Sequence, residues 1–288
     1  MNRNRHRIVF NAARGLRVVV AECARALGKA STATAAAFLT AVLLPAQAQI
    51  SADPSAPGSQ RPTILTAPNG VPLVNIQTPS PAGVSRNTYR QFDVNAPGAI
   101  LNNSRTNVQT QLGGWVPGNP WLATGGARVI LNEVNSTNPS YLKGPIEVAG
   151  QGAEVIIANP AGIQIDGGRF LNATGVTLTT GKPVMKGGSL ESFLVRGGQV
   201  RIEGLGLDTR GADYTTILTR AMQVNAAIWA NKLTIVGGAA ETQASGTDAS
   251  GGPITKPIAP DPNAPKPRVM LDVAAIGGMY AGKIFLVG

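Results

Sequence analysis

Residues 153–180 read AEVIIANPAGIQIDGGRFLNATGVTLTT, and this stretch carries the pattern that decides the fold. Apolar and β-branched residues alternate with polar ones in three short runs, and Gly, Asn or Pro stands at each boundary. The runs predict β-strands over residues 154–158, 162–166 and 176–180. A tight turn is predicted between the first two strands, at residues 159–162.

The same alternation of apolar and polar residues, bounded by turn residues, continues beyond this stretch. Apolar strand centres at Val155, Val176, Val200 and Val224 follow one another at intervals of 21, 24 and 24 residues. Because one coil of a stacked parallel β-solenoid has about that length, the spacing predicts an all-β chain wound into such coils. The repeat is one of shape, since the residues themselves are not repeated.

Other apolar runs predict further strands over residues 89–94, 99–101, 127–131, 146–149, 193–196, 199–202, 233–236, 269–274 and 283–287. A polar excursion is predicted over residues 132–140. Residues 75–104 are predicted to cap the N-terminal end of the solenoid, because an uncovered coil invites edge pairing.

Three segments are less regular. Residues 213–230 fit either one side of a helix or two strands, 214–218 and 222–229, and their strand-like neighbours favour strands. Residues 49–62 are Pro-rich and predict a loose linker. Residues 241–268 are rich in Pro, Ser, Gly and Thr and predict a mobile loop.

The chain has a formal net charge of +10, and most of it is concentrated at the N-terminus. Seven of the 25 Lys and Arg residues but only one of the 15 Asp and Glu residues lie in residues 1–48, so this segment carries +6. The rest of the chain is only weakly basic. Its composition therefore does not predict a nucleic-acid partner.

Residues 1–48 have the order of a signal peptide. A long basic segment precedes an apolar run over residues 31–44, and an A-x-A pattern at Ala46 and Ala48 predicts cleavage before Gln49. The apolar run is too short for a permanent membrane anchor. An ordinary buried helix is the alternative, and both the cleavage pattern and the Pro-rich segment that follows disfavour it. Export through the Sec machinery is expected.

The only Cys and the only His, Cys23 and His6, both lie in this segment. The chain from Gln49 onward therefore cannot form a disulfide, a Cys or His metal site, a Ser-His-Asp triad or a Cys nucleophile. No cofactor or metal is predicted. A chain without disulfides can also cross the periplasm unfolded.

Three motifs resemble binding sites, and each has a simpler interpretation. Residues 277–283 fit G-x-x-x-x-G-K, but Ile284 follows where a P-loop needs Ser or Thr, and a strand-like run follows where it needs a helix. Residues 204–209 lack the final Gly of a dinucleotide motif and predict a turn. Trp115 and Trp121 are predicted to be packing residues rather than ligand platforms.

Two carboxylate pairs, Glu147 with Glu154 and Glu203 with Asp208, could support glycan chemistry. Solvated turn carboxylates are the favoured interpretation, because no dense acidic or aromatic groove is evident. The chain is thus predicted not to be an enzyme. An exported β-helix polysaccharide lyase or hydrolase, or an adhesive fragment, is the alternative.

The N-terminal segments 4–11, 14–15 and 20–22 resemble the extended signal peptide of large Gram-negative surface exoproteins. That resemblance implies a slowed or tuned export across the inner membrane.

The remainder resembles the two-partner secretion domain that begins filamentous haemagglutinins, haemolysin exoproteins and contact-dependent growth inhibition toxins. Turns in the right order carry the resemblance, at residues 74–76, 81–87, 92–94, 101–104, 118–120, 130–134, 157–160, 178–181 and 277–282. The resemblance implies a right-handed parallel β-helix over residues 63–288, with an N-terminal cap and side hairpins.

The chain departs from the family at two turns. Residues 119–122 read Asn-Pro-Trp-Leu where the family often has Asn-Pro-Asn-Leu, and residues 159–163 read Asn-Pro-Ala-Gly-Ile where it often has Asn-Pro-Asn-Gly-Ile. Some members carry a Cys pair where this chain has Ile165 and Gly168. The absence of this Cys pair argues against a haemolysin-type thiol role.

The resemblance implies that a cognate outer-membrane β-barrel transporter recognises the extended chain in the periplasm and that the chain folds outside the cell. A host or neighbouring-cell surface is a further expected partner. The candidate recognition residues are Asn119, Pro120, Asn159, Pro160, Gly162 and Ile163, with turn geometry as their alternative role. The apolar end at Gly288 suggests the front of a longer adhesin, haemolysin or toxin, with any toxic activity downstream.

Overall fold

The computed structural model describes residues 6–11, 16–21, 49–249, 251–274 and 277–288. Two compact units, residues 1–47 and 48–288, divide the chain. In the first unit, β1 (His6–Asn11) pairs antiparallel with β2 (Leu16–Ala21). The predicted cleavage residues Ala46 and Ala48 lie outside the described residues. Within the described ranges no helix is long and apolar enough to cross a membrane.

The second unit is built from short strands. In chain order they are β3 (Ile50–Ala52), β4 (Thr63–Thr66), β5 (Pro72–Asn75), β6 (Val84–Phe92), β7 (Ala99–Asn103), β8 (Val108–Thr110), β9 (Gly114–Val116), β10 (Val129–Val134), β11 (Ser140–Leu142), β12 (Pro145–Gly150), β13 (Ala153–Ala158), β14 (Ile163–Ile165), β15 (Gly168–Leu171), β16 (Ala173–Thr179), β17 (Lys182–Lys186), β18 (Ser189–Val195), β19 (Gln199–Ile202), β20 (Leu207–Asp208), β21 (Tyr214–Thr219), β22 (Ala221–Val224), β23 (Ala227–Gly237), β24 (Ala240–Thr247), β25 (Pro253–Pro257), β26 (Leu271–Val273) and β27 (Gly278–Val287). Short 3-10 turns occur at Gly58–Gln60 and Pro120–Leu122.

The strands wind into stacked coils, as the sequence predicts. In one coil the chain runs through β13, β14 and β15 before β16 pairs in parallel with β13. The strands equivalent to β13 in successive coils pair in the order β6-β10-β13-β16-β21-β23. The strands equivalent to β14 form a separate sheet in the order β11-β14-β19-β22-β26. Each coil thus pairs with the coils before and after it. The all-β solenoid prediction is confirmed.

The predicted spacing holds for one step and is wrong for the next. Val155 and Val176 are register partners in neighbouring coils. Val200, however, lies in the other sheet, where it pairs with Ile163 and Met222. The antiparallel hairpin β17–β18 is inserted before it and lengthens that coil. The interval of 24 residues between Val176 and Val200 therefore does not correspond to one coil.

A side sheet corrects the prediction for residues 241–268. Strands β24 and β25 form an antiparallel hairpin that extends the β17–β18 pair into a four-stranded sheet. The Gly-rich segment is the turn of this hairpin, in which the Asp248 amide donates to the Gly252 carbonyl. Thr242 and Thr255 are register partners across the hairpin with hydroxyl oxygens 3.2 Å apart, and Thr242 is buried.

The N-terminal cap also lies elsewhere than predicted. Strands β6 and β7, inside the expected cap, pair in parallel with β10 and β12 and belong to the first coil. The cap is formed by β3, antiparallel to β6, and by the antiparallel hairpin β4–β5. Residues 49–62 are thus no loose linker, because Ile50 is buried in the core and Asp53 is buried beside Ser55.

Two smaller expectations are settled by the strands. Residues 213–230 form strands, as favoured, rather than a helix. The polar excursion begins later than predicted, because β10 continues to Val134. Its Asn132 is buried, where it accepts a hydrogen bond from the Tyr89 hydroxyl and donates to the Ile156 carbonyl.

A glycine pair tests how closely the coils approach. Both Gly206 and Gly114 have a left-handed backbone, with φ of +76° and +68°. A Cβ at Gly206 would lie 2.2 Å from the Ala227 carbonyl oxygen of the next coil, whereas one at Gly114 would meet nothing within 4 Å. Alanine at Gly114 should cost about 1–2 kcal/mol of unfolding free energy from backbone strain. Alanine at Gly206 should cost about 1–3 kcal/mol more, because the neighbouring coil must move.

Urea unfolding of residues 49–288 measures both losses. Equal losses in G206A and G114A would contradict the close contact between these coils.

Candidate functional site

The first candidate recognition turn is built around Asn119. This side chain is 3% exposed, and its Nδ2 donates to the Ile76 and Asn102 carbonyls, both at 2.9 Å. Its Oδ1 accepts from the Trp121 amide at 3.0 Å. Pro120 is exposed and is the first residue of the 3-10 turn. Proline is tolerated at this position because a backbone N–H there would have no partner within the turn. Asn119 therefore joins the ends of β5 and β7 to this turn.

The second turn repeats that arrangement. Asn159 is fully buried, and its Nδ2 donates to the Asn138 carbonyl and the Ser140 hydroxyl oxygen, both at 3.0 Å. Its Oδ1 accepts from the Ala161 amide at 2.9 Å. The turn closes when the Gly162 amide donates to the Asn159 carbonyl.

The residues after Asn159 are also structural. Pro160 is half-buried at the corner of the coil. Gly162 has φ of +122°, and a Cβ there would lie 3.0 Å from the Gln199 carbonyl oxygen of the next coil. Ile163 is fully buried as the first residue of β14. This corner is thus packed against the following coil.

The two turns do not form one site. Their asparagines share none of these hydrogen-bond partners and serve different corners. In both, the carboxamide uses its two N–H groups and its oxygen inside the fold, so it has little left to offer a partner. Their turn role is therefore established by geometry. Recognition by a transporter stays a prediction, and it would have to precede folding.

The tryptophans correct a further expectation. Trp115 is 66% exposed and Trp121 is 44% exposed, so neither is a core packing residue. Trp121 is held at the surface by a hydrogen bond from Nε1 to the Thr63 hydroxyl, at 3.1 Å. The prediction of packing residues is therefore wrong. Trp115 lies outside the coils because it belongs to the β8–β9 hairpin.

Two carboxylates of the predicted pairs are engaged by other groups of the fold. Glu147 is buried, and its two oxygens accept from the Gln111 and Leu112 amides, both at 2.8 Å. Asp208 pairs with Arg210 through hydrogen bonds of 3.0 and 2.7 Å. The hydrogen bond from Arg210 keeps the pKa of Asp208 below its usual value.

Glu154 lies in a different strand and has the opposite electrostatics. Burial raises the pKa of its carboxyl group, although the Thr177 hydroxyl donates to it at 2.9 Å. Burial likewise raises the pKa of the neighbouring Tyr214 hydroxyl, and the nearby Glu154 charge raises it further. Gly175 lies between them in register and leaves room for the Tyr214 ring. This arrangement is a packed pair rather than an open acid–base site.

The described part of the chain contains no group of three His, Cys, Asp or Glu residues that could hold a metal ion. The glycine motif at residues 277–283 runs into strand β27, not into the helix that a P-loop requires. Residues 204–209 form a turn and the short strand β20. Both motifs are thus explained by the solenoid.

A basic cavity that no sequence motif indicates lies beside the Pro160 corner. Its volume is about 850 Å³, and its lining includes Lys182, Arg196, Arg220 and Arg268. These cations come from distant segments of the chain. No local motif could indicate them, because only the stacking of the coils brings them together.

Comparisons with known proteins agree with this architecture. Residues 48–288 match the family described as TPS secretion domain, and residues 1–50 match the Extended Signal Peptide of Type V secretion system. The chain is 49% identical to Toxin CdiA of Yersinia pestis and 42% identical to tRNA nuclease CdiA-2 of Burkholderia pseudomallei, in each case over 100% of this chain. It spans only 9% and 10% of those proteins.

A solved structure is similar as well. The crystal structure of the filamentous hemagglutinin secretion domain matches 82% of this chain and 77% of that chain, with a TM-score of 0.73 and 34% sequence identity.

Replacement of Asn159 tests the structural role of the turn. Asn159→Ala removes three hydrogen bonds and leaves the Ala161 amide and the Asn138 carbonyl without their side-chain partner. We expect a loss of about 2–4 kcal/mol of unfolding free energy. Asn138→Ala is the matched control, because that side chain is exposed and forms one long hydrogen bond, of 3.5 Å, to the Gln91 side chain. Equal urea midpoints for the two variants would contradict the structural role.

The pKa shifts predict a pH dependence. Because the pKa of Glu154 is raised on folding, its contribution to stability is fully present below the unfolded-state pKa and is lost as pH rises through the folded-state pKa. Glu154→Gln should therefore gain stability relative to wild type between pH 4 and pH 8. Asp208→Asn should show the opposite sign, because the pKa of Asp208 is lowered and its contribution is lost as pH falls. Urea unfolding from pH 8 down to a pH below the usual aspartate pKa of about 3.9 measures both, and parallel curves for E154Q and wild type would refute the assignment.

Proposed function

The chain belongs to the TPS secretion domain family, and we propose that residues 49–288 are the signal by which a cognate outer-membrane β-barrel transporter selects the protein for secretion. The protein is exported through the periplasm, to be secreted or displayed at the surface of a Gram-negative cell. The observation that carries the proposal is the order of the two matches. An extended signal peptide over residues 1–50 leads directly into a secretion domain over residues 48–288.

The transporter reads the chain before it folds. In the folded protein Asn119 and Asn159 are buried and fully hydrogen-bonded, so their carboxamides are accessible only in an extended chain. Residues 49–288 contain no Cys, so no disulfide closes a loop too early. The extended segments around residues 119–120 and 159–163 add as strands to the sheet edge of a periplasmic transporter domain. Backbone hydrogen bonds supply affinity in this mode and side-chain pockets supply selectivity.

Folding outside the cell then favours outward movement. The cap strands β3 and β4–β5 offer the first surface, and each later coil pairs with the coil already formed. Val155, Ile157 and Ile163 of one coil are fully buried. Each such side chain contributes about 1.5–3 kcal/mol before chain entropy is subtracted. A folded coil therefore resists slipping back through a pore that admits only extended chain.

The secretion domain itself is not an enzyme in this proposal. The relatives named toxin or tRNA nuclease are about ten times longer than the match, and we place any comparable activity downstream of residue 288. A polysaccharide-cleaving activity of this domain has less support. Glu147 and Asp208, its best candidate residues, are held by backbone amides and by Arg210.

Secretion with and without the transporter tests the proposal. Residues 1–288 are expressed with the candidate transporter and without it, and the medium is assayed for the processed chain. We expect the chain to reach the medium only when the transporter is present. Its appearance without the transporter, or its retention in the periplasm in both cases, would overturn the proposal.

Proline variants separate recognition from folding. Pro120 and Pro160 donate no backbone hydrogen bond, so their replacement by Ala should change folded stability by less than about 1 kcal/mol. If the transporter reads these turns in the extended chain, the double variant should be secreted about tenfold less, the effect of about 1.4 kcal/mol of lost recognition. Pro68→Ala, in an exposed turn, is the control and should be secreted normally. Normal secretion of the double variant would leave these turns with a structural role only.

A further inference from the structure

The cavity beside Pro160 is a built feature of the solenoid. One wall consists of corners of three successive coils, at residues 160–161, 197–199 and 220–223. Gly198 keeps these corners close, since a Cβ there would lie 2.6 Å from the Thr180 Cβ and 2.7 Å from the Pro160 carbonyl oxygen.

Residues 258–269 form the opposite wall. This segment is fastened by backbone hydrogen bonds at both ends, from the Ile258 amide to the Ala239 carbonyl at 3.0 Å and from the Met222 amide to the Met270 carbonyl at 2.8 Å. Between them the Asp261 amide donates to the Arg196 carbonyl at 3.0 Å. The wall is thereby held at a defined distance from the coil corners.

The cavity is positively charged. Its lining carries Lys182, Arg196, Arg220 and Arg268 against two carboxylates, Asp261 and Asp272. In the described ranges none of the four cations forms an ion pair. The Asp261 carboxylate is already engaged, because its Oδ1 accepts from the Asn263 amide.

Among the residues that the structure describes, Arg196 and Arg220 use few of their donors. Arg196 gives one N–H to the Ala259 carbonyl and Arg220 gives one to the Arg196 carbonyl, both at 3.2 Å. A guanidinium has five N–H donors in a planar fork that fits carboxylate or phosphate groups. Two such forks from neighbouring coils, with Arg268 on the opposite wall and Lys182 also in the lining, fit a ligand that carries more than one negative group.

The rest of the lining indicates the ligand class. Gln199 and Gln223 add amide donors and acceptors, and Leu194 adds apolar surface. Strands β14, β19 and β22 are each paired on both sides, so they offer no free edge to a peptide backbone. The volume lies within the range of about 300–1,000 Å³ that is common for small-molecule sites. We propose that this cavity binds an acidic oligosaccharide, whose carboxylate or phosphate groups contact the arginines and whose hydroxyl groups contact the glutamines.

Calorimetric titration of folded residues 49–288 tests the proposal with defined probes. These are trigalacturonate, neutral maltotriose, inorganic phosphate and hexaglutamate. We expect trigalacturonate to bind more tightly than the other three, with weaker binding at high salt because screening reduces the attraction. Arg220→Gln and Arg268→Gln should each weaken binding about tenfold, as expected for the loss of one charge-assisted contact.

The controls separate binding from folding. Arg105→Gln removes the same charge at an exposed position outside the cavity and should leave binding unchanged. Arg268 lies on the opposite wall, at residues 258–269, and is exposed, so R268Q should keep the wild-type unfolding midpoint. R268Q therefore remains informative if R220Q is destabilised.

Several outcomes would overturn the proposal. Equal binding of maltotriose would remove the role of charge, and equal binding of inorganic phosphate would indicate a simple anion site. Tighter binding of hexaglutamate would assign the cavity to an acidic peptide instead. No binding of any probe, or an equal effect of R105Q, would also refute it. None of these results bears on secretion, so the two proposals fail independently.

Discussion

Parallel pairing between successive coils is the constraint on which the rest of this structure depends. A parallel strand cannot pair with its immediate neighbour in the chain, so the chain must complete a coil before its backbone groups are satisfied. Val155 lies in register between Ile130 and Val176, and all three side chains are fully buried. A slip of one residue would turn such a column outward, because side chains alternate between the two faces of a strand. The fold is stable only if every coil keeps its register.

The corners maintain that register, and they do so with buried polar groups. Where the chain leaves a strand, the carboxamide of Asn supplies two donors and one acceptor, as a short piece of backbone would. Asn103 donates to the Ala127 and Gln151 carbonyls and accepts from the Ala127 amide. Asn119 and Asn159 act in the same way at their own corners. These residues are buried without the usual cost of burying a polar group, because each hydrogen bond is formed.

The sequence predicted what depends on local patterns and missed what depends on stacking. The strand around Val155 and its partner around Val176 were predictable, because alternation and turn residues are local signals. The position of Val200 was not predictable, because the strands of an inserted hairpin have the same alternating pattern as the strands of a coil. The insertion changes only the topology. The hairpin β24–β25 was hidden by its composition. At the candidate site, the identity of Asn159 as a turn residue was predictable, whereas its burial and the basic cavity beside it require the coils to be assembled.

The same corner can therefore present two different surfaces at two stages. In the extended chain Pro160 and its neighbours form a linear motif, and neither the arginines nor the outer wall of the cavity lie near it. In the folded chain the Asn159 carboxamide is buried, and Pro160 lines a cavity with residues that follow it by 20 to more than 100 positions. Because a solenoid assembles coil upon coil, the cavity is complete only after the segment at residues 258–269 has joined it. A ligand of the cavity can therefore bind only after the motif has been buried. Under the two proposals, this order would separate recognition during export from binding outside the cell.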